Sequence, residues 1–227
     1  MNRMEIRKIR KNELLNIFIQ IIRDIVGISI KKLRIADLGC FEGFYSYQLA
    51  LLGAIVVGIE GRKINIEKAM CNKSDNLIFY HDDVKNFNID KYGHFDVILL
   101  PGILYHLDFN SICNLLEEVY KCCNRLLIID TNCCDVLPSK YKDMLPATFN
   151  YKGINYSGMI YDEPIKGLSP TQIEKRLTSA ISNDESFWFK EKELAKMLSA
   201  VGFGSVYKLM FPEAPTGIQR ETFIAIK

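Results

Sequence analysis

The chain has 227 residues, of which 48% are hydrophobic and 25% charged, and its formal net charge is +2. So even a charge balance excludes the strong basic surplus that marks a nucleic-acid or membrane-surface protein. One domain is the default at this length. Apolar runs such as 17–22 are cut by Arg23 and Asp24 before they reach a membrane span.

In chain order, Asn12 is read as the cap of a helix running to about Val26, with Leu14, Leu15, Phe18, Ile21, Ile22 and Ile25 as its apolar face. Residues 33–38 form a first buried strand. It turns at Asp37-Leu38-Gly39-Cys40-Phe41-Glu42-Gly43 into a helix starting at Phe44. Glycines suit such a turn because the backbone bends sharply with little room for a Cβ atom. Bare backbone and the first helical N–H groups can then meet a small ligand.

A second, β-branched strand, 54–60, ends in Glu60, and a helix covers 65–71. A third strand, 76–80, ends at His81-Asp82-Asp83. The fourth, 95–100, is closed by Pro101-Gly102, and a helix over about 109–123 leads to a fifth strand, 125–130. This alternation predicts a parallel sheet with helices on both faces.

The rhythm stops between Thr131 and about Phe187, a stretch with four prolines and many aromatic residues. A stretch this long without its own rhythm is usually functional or disordered, and the aromatics speak against disorder. Tyr151 to Gly158 reads as a short hairpin. A helix over 190–200, a strand over 206–210, a loop holding Pro212 and Pro215, and a strand over 222–226 complete the chain. The seven cysteines are odd in number and never spaced Cys-x-x-Cys, which favours buried thiols in a reducing cytoplasm over zinc or disulfides. The basic N-terminus is not followed by the apolar core and cleavage site of a signal peptide, so a cytoplasmic protein is expected.

The order of these motifs resembles the class I S-adenosylmethionine-dependent methyltransferases, well over 33–130 and more loosely to the C-terminus. The segment Gly102-Ile103-Leu104-Tyr105-His106-Leu107 is similar to one found in wobble-uridine tRNA alkyltransferases and their small-molecule relatives. The resemblance implies a Rossmann-like, mainly parallel seven-stranded sheet with an antiparallel last strand. It implies a single domain over 1–227, an N-terminal helical segment at 1–30, and an insertion at 131–187 that forms an acceptor pocket or lid.

The resemblance further implies that Asp37, Gly39, Cys40, Phe41 and Gly43 cradle the methionine part of S-adenosylmethionine. Phe41 stands where the commonest pattern has a glycine. Glu60 would receive both ribose hydroxyls, since two carboxylate oxygens can accept two donors. Asp82 or Asp83, with Val84, would read the adenine edge; Asp83 is preferred because Asp-Val is the usual pair. A dinucleotide dehydrogenase uses a similar turn and acid, but Asp37 and the two final strands fit a methyltransferase better.

Pro101 to His106 should line the site, since ligands in open α/β sheets sit beyond the carboxyl ends of the strands. His106 is a candidate base or a packing residue. Asp130 is a second candidate base or an acceptor-orienting group. His81 and His94 are read as surface or structural groups. Tyr105, Tyr151, Tyr156 and Trp188 are candidate acceptor contacts, although Trp188 equally suits a lead-in to the next helix. No metal is expected, because Pro101-Gly102 replaces the acid that a catechol-type metal site needs. The expected acceptor is a small polar metabolite methylated at oxygen, such as a sugar. A tRNA, an amine, or a non-catalytic role on this fold are the alternatives. No nucleic-acid or membrane partner is expected, and the chain is read as a monomer or homodimer.

Overall fold

The computed structural model describes residues 3–137, 139–210 and 220–227; the predicted loop at Pro212 and Pro215 lies outside these residues, as does Pro138. The strands are β1 Arg34–Leu38, β2 Ile55–Glu60, β3 Leu77–His81, β4 Phe95–Pro101, β5 Cys123–Asn132, β6 Leu145–Tyr151, β7 Ile154–Asp162, β8 Glu185–Phe189, β9 Ser205–Leu209 and β10 Arg220–Ile226. The helices are α1 Arg3–Val26, α2 Phe44–Leu51, α3 Lys63–Ala69, α4 Ile89–Tyr92, α5 Phe109–Cys122, α6 Pro170–Glu174 and α7 Glu191–Val201.

A seven-stranded sheet runs in the order β3-β2-β1-β4-β5-β10-β9. β1 to β5 are mutually parallel, and β10 is antiparallel to both β5 and β9. The sheet is the Rossmann-like one expected. Its strands read as continuous apolar runs because helices cover both faces. On one face α1 buries Leu14, Phe18, Ile21, Ile22 and Val26 against Leu33, Ile35, Val56, Val97 and Ile128. On the other, α5 and α7 pack Ile112, Leu116, Val119, Leu194 and Leu198 against Leu38, Ile98, Leu127 and Phe223.

Chain order reverses at β1, which pairs with β2 on one side and β4 on the other. The carboxyl ends of those strands splay there and open a crevice. Register places Glu60 beside His81, and Pro101 beside Asp130, along this edge.

Two expectations need correction. α1 begins at Arg3, so Asn12 lies inside the helix and does not cap it. The residues before it, Arg-Met-Glu-Ile-Arg-Lys-Ile-Arg-Lys, are good helix formers with no break, and they extend the helix past the capping signal. Ile25 also faces outward, at 37% exposure, while Val26 takes the buried position.

The second correction is to the 131–187 stretch, which has a sheet of its own. β6, β7 and β8 form an antiparallel three-stranded sheet. The β6–β7 hairpin predicted near Tyr151 turns on Lys152 and Gly153, with φ of 51° and 79°. Positive φ at both central residues is what a type I′ two-residue hairpin turn demands. Rhythm was hidden because β6 contains Pro146 and is exposed along most of its length.

β8 alternates sharply. Phe187 and Phe189 pack with Phe109 and Tyr156, while Trp188 points the other way, toward Tyr105, Tyr141 and Tyr161.

Candidate active site

The crevice at the carboxyl edge of β1, β2 and β4 is a cavity of about 620 Å³. Gly39, Cys40, Phe41, Glu60, Asp83, Val84, Pro101, Gly102, Tyr105 and His106 all line it, so most of the sequence-predicted residues converge there. Two further contributions were not foreseen, Lys11 and Asn12 from α1 and Arg62 and Asn65 after β2; the 131–187 stretch, expected to form a pocket or lid, lines the cavity through the unnamed segment 177–183.

The turn after β1 is fixed by its own backbone. The Gly39 and Cys40 amides donate to the Ile59 carbonyl at 2.8 and 3.0 Å, and the Phe41 amide donates to Glu60 Oε2 at 2.9 Å. These three donors are therefore spent within the protein, and the turn offers shape more than free N–H groups. Gly39 has φ 69°, and a Cβ there would lie 2.0 Å from Ile103 Cγ1, inside the wall of the cavity. Phe41 takes φ 54° despite its side chain. A left-handed non-glycine residue costs about 1–2 kcal/mol, and the bond to Glu60 holds it in place. Gly43 does not line the cavity; it caps α2 at φ 75° and makes room for Phe79.

Glu60 is buried at the end of β2. Its Oε1 accepts from the Arg62 amide at 2.8 Å and from Asn65 Nδ2 at 3.4 Å. Burial pushes its carboxyl up, and these hydrogen bonds oppose the shift. Oε2 has accepted one donor and keeps a lone pair for a ligand hydroxyl, whereas Oε1 already has two donors.

Asp37 sits behind the turn, fully buried and outside the cavity lining. Its Oδ2 accepts from the Ser46 amide at 3.1 Å and the Ser46 hydroxyl at 2.6 Å, while Oδ1 has no partner among the described residues. Burial pushes the carboxyl up to about 6, against the Ser46 bonds and the field of Lys11. Lys11, on α1, holds its ammonium 4.4 Å from the Phe44 ring centre. Burial lowers its pKa, and the fields of Asp37 and Glu42 oppose that. An orphaned acid and a half-buried ammonium beside the glycine turn suit an amino-acid zwitterion. A carboxylate at the end of the neighbouring strand suits a ribose. The residues present thus fit S-adenosylmethionine.

The choice between the two acids after β3 is now visible. Asp83 caps the following turn by accepting from the Lys85 amide at 3.0 Å, and it faces the cavity. Asp82 is not among the lining residues. It takes Asn86, Lys91 and Tyr92 as partners. Burial raises Asp82, but these donors outweigh it and hold the carboxyl down at about 2. It fastens α4, and of the two acids it is Asp83 that faces the cavity.

His106 lines the cavity at the end of a short helical turn, 104–106. Its Nδ1 lies 3.1 Å from Glu163 Oε1, and Trp188 Nε1 donates to the Tyr105 carbonyl at 2.9 Å. The Phe187 amide donates to the Leu107 carbonyl at 2.8 Å. β8 therefore braces the turn from beneath. Trp188 is a support of Tyr105, not a cavity residue. Tyr151 and Tyr156 also lie outside the lining. Tyr151 donates to Glu117 on α5, and Tyr156 is fully buried among Phe109 and Phe189. Tyr156 joins the core that α5 and α7 share with the large sheet, Tyr151 packs partly buried against it, and Trp188 belongs to a smaller cluster with Cys134 and Met144.

Asp130 is fully buried and already satisfied. Arg220 Nε donates to its Oδ2 at 2.7 Å, Arg10 reaches its Oδ1 at 3.4 Å, and Thr222 Oγ1 lies 3.5 Å away. A carboxylate so paired is a tie between α1, β5 and β10, and it does not line the cavity. Among the described residues no group of three or more His, Cys, Asp or Glu is placed to hold a metal. No described helix is long and apolar enough to cross a membrane.

A family profile described as a methyltransferase domain matches residues 29–195. The ubiquinone biosynthesis O-methyltransferase of Bartonella quintana (strain Toulouse) is 35% identical over 88 residues, covering 37% of this chain and 36% of that protein. The chain thus matches about a third of that relative's length. The N-terminal domain of EvdMO1, in the presence of SAH and D-fucose, superposes with a TM-score of 0.66 at 20% identity, covering 87% of this chain and 78% of that one. Magnesium protoporphyrin IX methyltransferase (ChlM) from Synechocystis PCC 6803 with bound SAH gives 0.65 at 15% identity, covering 100% and 88%. At such identities these structures speak for the fold. The profile spans well over half of the sequence, and the chain belongs to the methyltransferase domain family as a class I, S-adenosylmethionine-dependent methyltransferase.

Proposed function

We propose that the chain methylates an oxygen of a small polar acceptor, such as a sugar, with His106 as the base. The observation that carries this reading is the placement of His106. The ring lines the same cavity as the glycine turn and Glu60, with Nδ1 tied to a buried carboxylate and Nε2 without a hydrogen-bond partner among the described residues. The D-fucose present with the EvdMO1 domain is consistent with a sugar-sized acceptor on this fold.

Bound S-adenosylmethionine supplies an activated methyl group on a sulfonium. The chain's residues have three tasks around it. Glu60 receives the ribose hydroxyls, and Asp83 with Val84 flanks the adenine. Lys11 faces the carboxylate of the amino-acid end, and the charge of Asp37 acts on its ammonium through the turn. The second task is exclusion of water, performed by the segment 177–183, which roofs the cavity between Arg62 and His106. Alignment and dryness are the main demands of a methyl transfer.

The third task is the proton. A hydroxyl acceptor must lose its proton as the new bond forms, and a neutral imidazole is suited to accept it at Nε2. His106→Ala should lower turnover about 10²-fold or more. The test begins with labelled cofactor screened against cell metabolites and bulk RNA. Transfer only to RNA would refute the small-molecule reading, and undiminished turnover by H106A would refute the base.

A further inference from the structure

The two oxygens of Glu163 serve two different elements. It sits just after β7 at 2% exposure, so its charge needs partners. Oε1 lies 3.1 Å from His106 Nδ1, and Oε2 accepts from the Ala180 amide at 2.9 Å. Its own backbone is pinned, since the Glu163 amide donates to the Asp184 carbonyl at 2.8 Å. The Ala180 carbonyl in turn accepts from Arg62 Nη2 at 3.0 Å, and the Ser179 carbonyl accepts from the same nitrogen at 2.7 Å. Ala180 is therefore held on one side by Glu163 and on the other by Arg62, whose amide binds Glu60.

We propose that Glu163 is a positioning residue for His106, and that it works only while the segment 177–183 is seated. An ionised carboxylate only accepts hydrogen bonds. His106 Nδ1 must then carry the hydrogen, and in the neutral ring Nε2 is bare and able to take a proton from the acceptor. The second oxygen is occupied by Ala180, so the same group that sets the tautomer also fastens the roof. When the roof lifts, Glu163 loses a charge-assisted bond and gains water, and its hold on the ring slackens. The base is thus armed when the cavity is closed. The inference rests on the reading of His106 as base, but its direct readout does not need an acceptor.

Replacement by glutamine is decisive because an amide has one accepting end. With its oxygen on His106, its NH2 group meets the Ala180 N–H, donor against donor, and the roof is released. With its oxygen on Ala180, its NH2 group meets Nδ1 and forces the hydrogen to Nε2. Imidazole ¹⁵N NMR reports the tautomer, and hydrogen exchange at the Ala180 amide reports the roof. Both are measured on the full chain saturated with SAH.

Wild type should show an Nδ1–H ring and a protected Ala180. E163Q should lose one of the two, and E163A both. Once an acceptor is in hand, kcat for E163A should fall roughly 10²-fold with little change in KM for the cofactor. An Nδ1–H ring and a protected Ala180 amide in a folded, SAH-binding E163A would overturn the proposal. Failure of the base assignment reads differently: H106A would keep its turnover while the ring signature of E163A still changed.

Discussion

Asp37→Asn isolates the electrostatics of the cradle. Burial lifts the Asp37 carboxyl from 3.8 to about 6. That is about 2 units, and at about 1.4 kcal/mol per unit it corresponds to about 3 kcal/mol. The native state prefers the protonated acid, so the stabilisation is fully present below the unfolded value of 3.8 and is lost as pH rises through about 6. Other carboxylates add their own pH dependence, so the useful quantity is a difference between two proteins. Urea unfolding of wild type and D37N, without ligand, is measured at about pH 4 and about pH 7.5. Relative to D37N, the wild type should lose about 2.5 kcal/mol between them.

A constant penalty from the asparagine NH2 at the position of the orphaned Oδ1 cancels in this difference. Parallel profiles would refute the reasoning. SAH provides a second arm. Its ammonium beside Asp37 favours the carboxylate, so wild-type affinity should rise with pH up to about 6, and that of D37N should stay flat.

Three other substitutions test the site. Glu60→Ala should weaken SAH binding by about tenfold or more, as the loss of hydrogen bonds to a charged group predicts, and unchanged calorimetric affinity would refute the ribose assignment. Lys11→Met should weaken SAH about tenfold but leave 5′-methylthioadenosine, which lacks the amino-acid end, unaffected; equal losses would place Lys11 elsewhere. Asp130→Ala should cost about 3 kcal/mol in denaturant unfolding, because Arg220 and Arg10 lose their shared partner, while turnover per folded molecule stays within about tenfold. A stable D130A with abolished turnover would restore Asp130 as a base.

What the sequence made legible follows from distance along the chain. The turn at Asp37–Gly43, Glu60 and Asp83 each lie at the carboxyl end of a strand, and the sheet rule assembles such ends without further knowledge. Strand ends are local signals: an apolar run, then a turn residue, then an acid. Asp130 has the same local signal and a different fate, because Arg220 and Arg10, distant in sequence, neutralise it. A strand-end acid announces a position and says nothing of what will pair with it.

The residues that sequence reasoning missed come from the N-terminal helix, from the turn after β2 and from the 131–187 stretch. Lys11 arrives on a helix whose apolar stripe explains its packing but not which polar residue leans over the turn. Arg62 follows an acid and reads as an ordinary surface cation, yet it is 2% exposed and spans to Ile173, Ser179 and Ala180, more than 100 residues on. Glu163 lies in the stretch with no rhythm.

Burying an arginine and a glutamate is costly unless each finds partners, and here the partners are the two sides of the same roof. Arg62 gives its donors to the carbonyls of the roof, and Glu163 gives its oxygens to an amide of the roof and to His106. Part of their cost is met only when segment 177–183 is seated, which couples closure to their burial. Both acid and base ends of this arrangement therefore depend on a segment whose importance no single residue within it advertises.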